Sequence, residues 1–128
     1  MIQEILPYEQ ALGLKELGFE EPTIFGYDRV PMLCTMGKSA FDSLNYNAKS
    51  GGYVSAPLYQ QAIRWIREKY NYSVEITYRN ADKKYLVSLY PIWPNIEVFF
   101  LGTHSEYEEA ESLCIKKFIE MVKEKKIQ

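Results

Sequence analysis

The chain has few of the residues that metal and redox chemistry need: in 128 positions there are two cysteines, Cys34 and Cys114, and one histidine, His104. A zinc site made of Cys and His requires three or four ligands at short paired spacings, and no Cys-x-x-Cys pair is present. Also missing is any run of about 18 apolar residues that could form a membrane-spanning helix. The start, Met1-Ile2-Gln3-Glu4, lacks the basic residues of a signal peptide. The expectation is a cytoplasmic protein with no membrane association. In that reducing setting a structural disulfide is not expected, and both thiols are read as small buried hydrophobes.

Charge of one sign is not in excess either. Net charge is −2, and no segment carries the strong basic stripe that nucleic-acid binders use to neutralise phosphates. Residues 1–60 are slightly acidic, 61–105 slightly basic, and 106–128 slightly acidic again. What the chain does have is ordinary globular composition, 47% hydrophobic and 25% charged, which places it far from disordered sequences. Its length suits one domain, 1–128, that buries roughly two-thirds of its unfolded surface.

The first helix signal runs from Leu6 to Phe19. Pro7 suits a first turn, Tyr8, Ala11, Leu12 and Lys15 recur at helical spacing, and Gly18 can take the left-handed conformation that ends a helix. Thr23–Tyr27 and Met32–Met36 read as a hairpin, so residues 1–36 form a helix plus hairpin. Residues 37–54 read as a polar loop with no sustained period. A second helix is expected to start at Ser55-Ala56-Pro57, capped by Ser55, with Leu58, Ala62, Trp65, Ile66 and Tyr70 as its buried stripe. Ser73–Arg79 alternates apolar and polar, Tyr85–Tyr90 returns after a turn, and Ile96–Leu101 follows as a third strand. The last helix, from about Glu106 to Lys125, is expected to open on a Ser105/Glu108 capping box and to bury Ala110, Leu113, Cys114, Phe118, Met121 and Val122. The fold class is α+β: an antiparallel sheet with helices mainly on one face, in the order α-β-β-(loop)-α-β-β-β-α.

Each candidate motif has a plain structural reading beside it. Gly37-Lys38-Ser39 imitates the end of a phosphate-binding loop, but Met32 stands where that loop needs glycine. Residues 55–128 repeat the α-β-β-β-α topology of a double-stranded RNA-binding domain, and the spacing of Ala110, Cys114 and Phe118 is similar to that family's last helix. That family grips phosphates with lysines at the start of this helix. Here Glu106, Glu108, Glu109 and Glu111 stand there, and carboxylates repel a phosphate backbone. A Cys–His nucleophile would have to pair His104 with Cys34 or Cys114, and a metal-dependent nuclease would have to gather carboxylates such as Glu75, Asp82 and Glu97. Aromatic residues make up 15% of the chain, and most are expected in the core. Tyr46, Tyr53 and Tyr59 are the expected exceptions.

Leu6-Pro7-Tyr8-Glu9-Gln10-Ala11-Leu12 with Leu14–Phe19, Ser55–Ala62 with Arg64–Tyr70, and Tyr107-Glu108-Glu109-Ala110-Glu111 resemble, as a set, an uncharacterised family of small proteins from gut Bacteroidales and their phages and prophages. The resemblance covers the three helices well and the strands loosely. It implies a small accessory protein of a phage or mobile element acting inside a bacterial cell, and it carries no catalytic residues with it.

The expected function is that of a non-enzymatic protein-interaction domain, with no catalytic set, cofactor or metal and with an unidentified protein as partner. The first alternative is a nucleic-acid-binding module using Arg64, Arg67, Arg79, Lys83 and Lys84, which must then share one surface. The second is a small metal-dependent nuclease.

Overall fold

The computed structural model describes residues 4–37 and 42–127. The chain divides into two compact units, Met1–Leu58 and Tyr59–Gln128. It is α+β, with three α-helices and two three-stranded antiparallel sheets among the described residues rather than the single sheet expected.

In the first unit, helix α1 (Tyr8–Glu16) follows Pro7, whose carbonyl accepts the N–H groups of Gln10 and Ala11. It ends as its sequence anticipates. Gly18 sits at φ +96°, and the Phe19 and Gly18 N–H groups bond back to the Leu14 and Lys15 carbonyls, each at 3.0 Å. This pair of hydrogen bonds closes the last turn and folds Phe19 into the core. The hairpin strands are shorter than expected, β1 Phe25–Tyr27 and β2 Leu33–Cys34. A third strand, β3 (Val54–Ala56), pairs with the other side of β1, giving the order β2-β1-β3.

That third strand changes the reading of residues 37–54. The segment carries a 3-10 turn at Tyr46–Ala48 and a bridge between Leu44 and Thr23. Ser55 is a buried strand residue and not a helix cap. Its N–H donates to Asn47 Oδ1 at 2.8 Å, and its hydroxyl accepts the Asn47 N–H at 3.1 Å. Asn47 also donates to the Phe19 carbonyl at 2.7 Å, tying loop, strand and helix end together. Tyr46 lies flat against Gly26, where a Cβ would come within 2.4 Å of its ring. Glycine is therefore required there for contact and not for its backbone freedom.

In the second unit, α2 (Tyr59–Tyr70) buries Tyr59, Ala62, Trp65, Ile66 and Tyr70. Leu58, expected in that stripe, lies before the helix and is exposed. Strands β4 (Tyr72–Arg79), β5 (Lys84–Pro91) and β6 (Phe99–His104) form a meander in that order. The β4–β5 ladder runs without interruption from Tyr72↔Pro91 to Arg79↔Lys84. It sets Tyr72, Val74, Ile76 and Tyr78 on one face and Ser73, Glu75, Thr77 and Arg79 on the other, because side chains alternate across a strand. The third strand begins later than expected: Ile96–Val98 precede it outside any strand.

Helix α3 (Tyr107–Lys123) packs on β4, β5 and β6 and touches α2. It begins without the Ser105/Glu108 capping box. Glu106 takes the cap position in extended backbone, and no side chain closes it. Its buried residues are Ala110, Cys114, Ile115, Phe118, Ile119 and Met121, while Leu113 and Val122, expected inside, are half-buried. Gly102 lets α3 approach β6, since a Cβ there would stand 3.0 Å from Leu113. At the centre, Tyr70 and Phe118 meet edge to face at 4.9 Å.

The two thiols differ. Cys114 is fully buried and its thiol is pushed up to about 12 by loss of solvation, while Cys34 is only half-buried, contrary to expectation. Burial and the nearby Asp28 carboxylate raise Cys34 as well. In a thiol titration at pH 8, Cys34 is expected to react in the native protein and Cys114 only after unfolding. Tyr46→Phe removes the partner of the Met36 N–H (2.9 Å) and of the Ile24 carbonyl (3.0 Å) and is expected to lower stability by about 1–3 kcal/mol in urea denaturation.

Candidate interaction surface

Two of the three expected contact tyrosines, Tyr46 and Tyr59, are buried, and Tyr53 is half-buried. Tyr46 is fully buried, because its ring fills the space above Gly26 and its hydroxyl is held by backbone on both sides. Tyr59 is 6% exposed on the inner side of α2; burial raises its hydroxyl, against a lowering hydrogen bond with Ser112. Tyr53 is half-buried beside Gly51, and its carbonyl accepts a bond from Lys15 Nζ at 2.9 Å.

The five basic residues do not share one surface. Arg64 and Arg67 stand on the outer side of α2. Arg79 and its ladder partner Lys84 lie on the sheet face turned away from the helices, and Lys83 occupies the turn between them at φ +56°. The sheet therefore separates the two groups. Arg79 is further engaged with Asp82 through a two-pronged contact, Nε–Oδ1 at 3.0 Å and Nη2–Oδ2 at 2.5 Å. The joint surface that the nucleic-acid reading requires is not formed by these residues.

His104 Nδ1 lies 2.7 Å from Glu109 Oε2 without the alignment of a hydrogen bond. Among the described residues no three His, Cys, Asp or Glu side chains are grouped to hold a metal ion. Lys38 and Ser39 of the phosphate-loop imitation lie outside the described residues.

The feature that sequence reading passed over is the connection between β5 and β6. Pro91, which has no N–H to donate, is the last residue of β5. The chain then turns through Ile92-Trp93-Pro94-Asn95, closed by the Asn95 N–H on the Ile92 carbonyl at 3.0 Å, with a cis Trp93–Pro94 peptide. The turn is fastened to the corner between α2 and β4. The Ile92 N–H donates to the Asn71 carbonyl at 2.9 Å, and Asn95 Nδ2 donates to the carbonyls of Tyr70 and Asn71, both at 2.9 Å. Asn71 can form that corner because asparagine tolerates the left-handed backbone it adopts, φ +61°. These bonds satisfy carbonyls that a helix end leaves without partners.

The fastened connection leaves its apolar side chains outside. Trp93 is 82% exposed, Ile96 83% and Phe100 64%, with Val98, Tyr90 and Ile92 also exposed. Single exposed apolar residues are ordinary, but six exposed within residues 90–100 are a concentration of the kind found at interaction sites. Tyr90 and Phe100 both project from the sheet face opposite the helices, since Tyr90 pairs with Ser73 and Phe100 with Ser88. The signal was in the sequence as Tyr-Pro-Ile-Trp-Pro-Asn-Ile-Glu-Val-Phe-Phe. Its later part reads equally well as a buried strand.

Compared with known protein families, curated proteins and solved structures, the chain matches none. No helix among the described residues is long and apolar enough to cross a membrane.

Asn95→Ala breaks both side-chain bonds to the α2–β4 corner and is expected to cost about 1–2 kcal/mol in urea denaturation, with the native circular dichroism kept.

Proposed function

We propose that this chain is a non-enzymatic protein-interaction domain whose contact surface is the β5–β6 connection, Tyr90–Phe100. Its resemblance to small Bacteroidales and phage proteins makes an accessory role for a phage or mobile element, inside a bacterial cell, the setting of that interaction. One observation carries the reading: a loop held by hydrogen bonds to a helix corner, with Trp93 and Ile96 more than four-fifths exposed. Leaving such side chains in water forgoes about 1.5–3 kcal/mol each relative to burial. Fastening the turn that carries them also lowers the backbone ordering entropy that binding must overcome. A central Trp among apolar neighbours is the composition in which binding energy concentrates.

The test is affinity capture from bacterial lysate with the tagged full chain, after nuclease treatment, read by quantitative mass spectrometry. Wild type is expected to retain a dominant protein that Trp93→Ser/Ile96→Ser loses by about tenfold or more, while Arg67→Glu retains it. Capture that disappears with nuclease, or that is insensitive to the loop substitutions, overturns the proposal.

A further inference from the structure

We infer that the Tyr90–Phe100 surface is occupied by a second copy of this chain, so that the protein is a homodimer closed by two such patches across a twofold axis. The inference deepens the interaction reading and rests on it.

Area is the first argument. At roughly 150–250 Å² per aromatic side chain, the uncovered parts of Trp93, Phe100 and Tyr90 come to about 400 Å². Ile96, Val98 and Ile92 take the patch to about 600 Å² or beyond, at or above the largest that ordinary monomers leave open. Two such patches face to face remove more than about 1,000 Å², the size a specific interface needs.

Charge is the second. Within residues 90–100 only Glu97 is charged. Homodimer interfaces are more apolar than contacts between partners that come and go. At the rim of the patch, Lys117, Glu120, Glu124 and Lys126 stand beside Glu97 and Phe100, so both signs are present there, and a net charge of −2 puts little repulsion between two copies. Apposing the same patch on both copies also closes the assembly, because an isologous contact leaves no second patch open.

The mode of contact follows from β6. Its register with β5 steps from Val87↔Gly102 to Ser88↔Phe100, which leaves Leu101 as an extra residue on β6. A bulge of this kind blunts an edge strand as a template for ladder pairing. The two copies therefore meet through the side chains of the connection, Trp93 and Ile96 foremost, and not by joining their sheets.

Size-exclusion chromatography with light scattering on the full chain decides the matter. Wild type is expected at twice the 15.0 kDa chain mass, and Trp93→Ser/Ile96→Ser at the chain mass, with association weakened at least about 30-fold. Wild type that stays monomeric up to its solubility limit overturns the inference, as does a dimer that the double substitution leaves intact. Should the variant lose its circular dichroism, dilution of wild type followed by tryptophan fluorescence replaces it. A red shift on dissociation, as Trp93 returns to water, supports the dimer, and an emission that is independent of concentration overturns it. Failure here is separable from failure of the interaction reading: a monomeric wild type that still loses a captured protein on Trp93→Ser/Ile96→Ser refutes only the dimer.

Discussion

The second unit depends on the uninterrupted antiparallel ladder between β4 and β5. Eight paired positions in strict alternation commit Tyr72, Val74, Ile76, Val87 and Leu89 to one face, and α2 and α3 cover that face. A one-residue slip would turn the whole apolar set outward, so the register is specified by burial itself. With both helices on one side, the other side carries what the alternation leaves over: Ser73, Glu75, Thr77 and Arg79 on β4, then Tyr90 and Phe100 toward the end of the sheet where the chain turns.

The exposed connection is a consequence of where that ladder ends. Helix α2 ends at Tyr70 and β4 begins at Tyr72, so a single residue makes the corner. The carbonyls of Tyr70 and Asn71 face the chain leaving β5, and Asn95 meets both of them. An amide side chain at that position gives the turn an anchor without any apolar burial. Trp93, Pro94 and Ile96 are thereby free to stay outside. The ordering of the loop and the exposure of its side chains have the same cause.

The first unit is organised differently, around polar side chains that stand in for secondary structure. Asn47 and Ser55 exchange bonds across the loop, and Tyr46 ties Met36 and Ile24 through its hydroxyl. Each of these residues read in the sequence as something local: a loop polar residue, a helix cap, an exposed aromatic. Their partners are eight to twenty-eight positions away, beyond the reach of propensity or periodicity. Tyr46 in particular has no sequence feature that separates a buried anchor from a surface ring, since the deciding fact is the missing side chain of Gly26.

Local chemistry alone therefore determined the α+β class, the α-β-β-β-α order of residues 59–123, the end of α1 at Gly18 and Phe19, and the alternation along β4. Each rests on interactions within a few residues or on a period that one element repeats. The absence of a sequence signature for metal or nucleophilic chemistry was equally plain in a chain with one histidine and two distant cysteines. Tertiary structure alone decided that the described residues form two sheets, that Ser55 belongs to a strand, that Tyr46 and Tyr59 are buried, and that the basic residues of α2 and of the β4–β5 hairpin lie on separate sides. It also decided that Ile92–Val98 is a fastened turn with its apolar side chains in water. An apolar run reads the same whether it will be buried or displayed, and only the position of the helices relative to the sheet settles which.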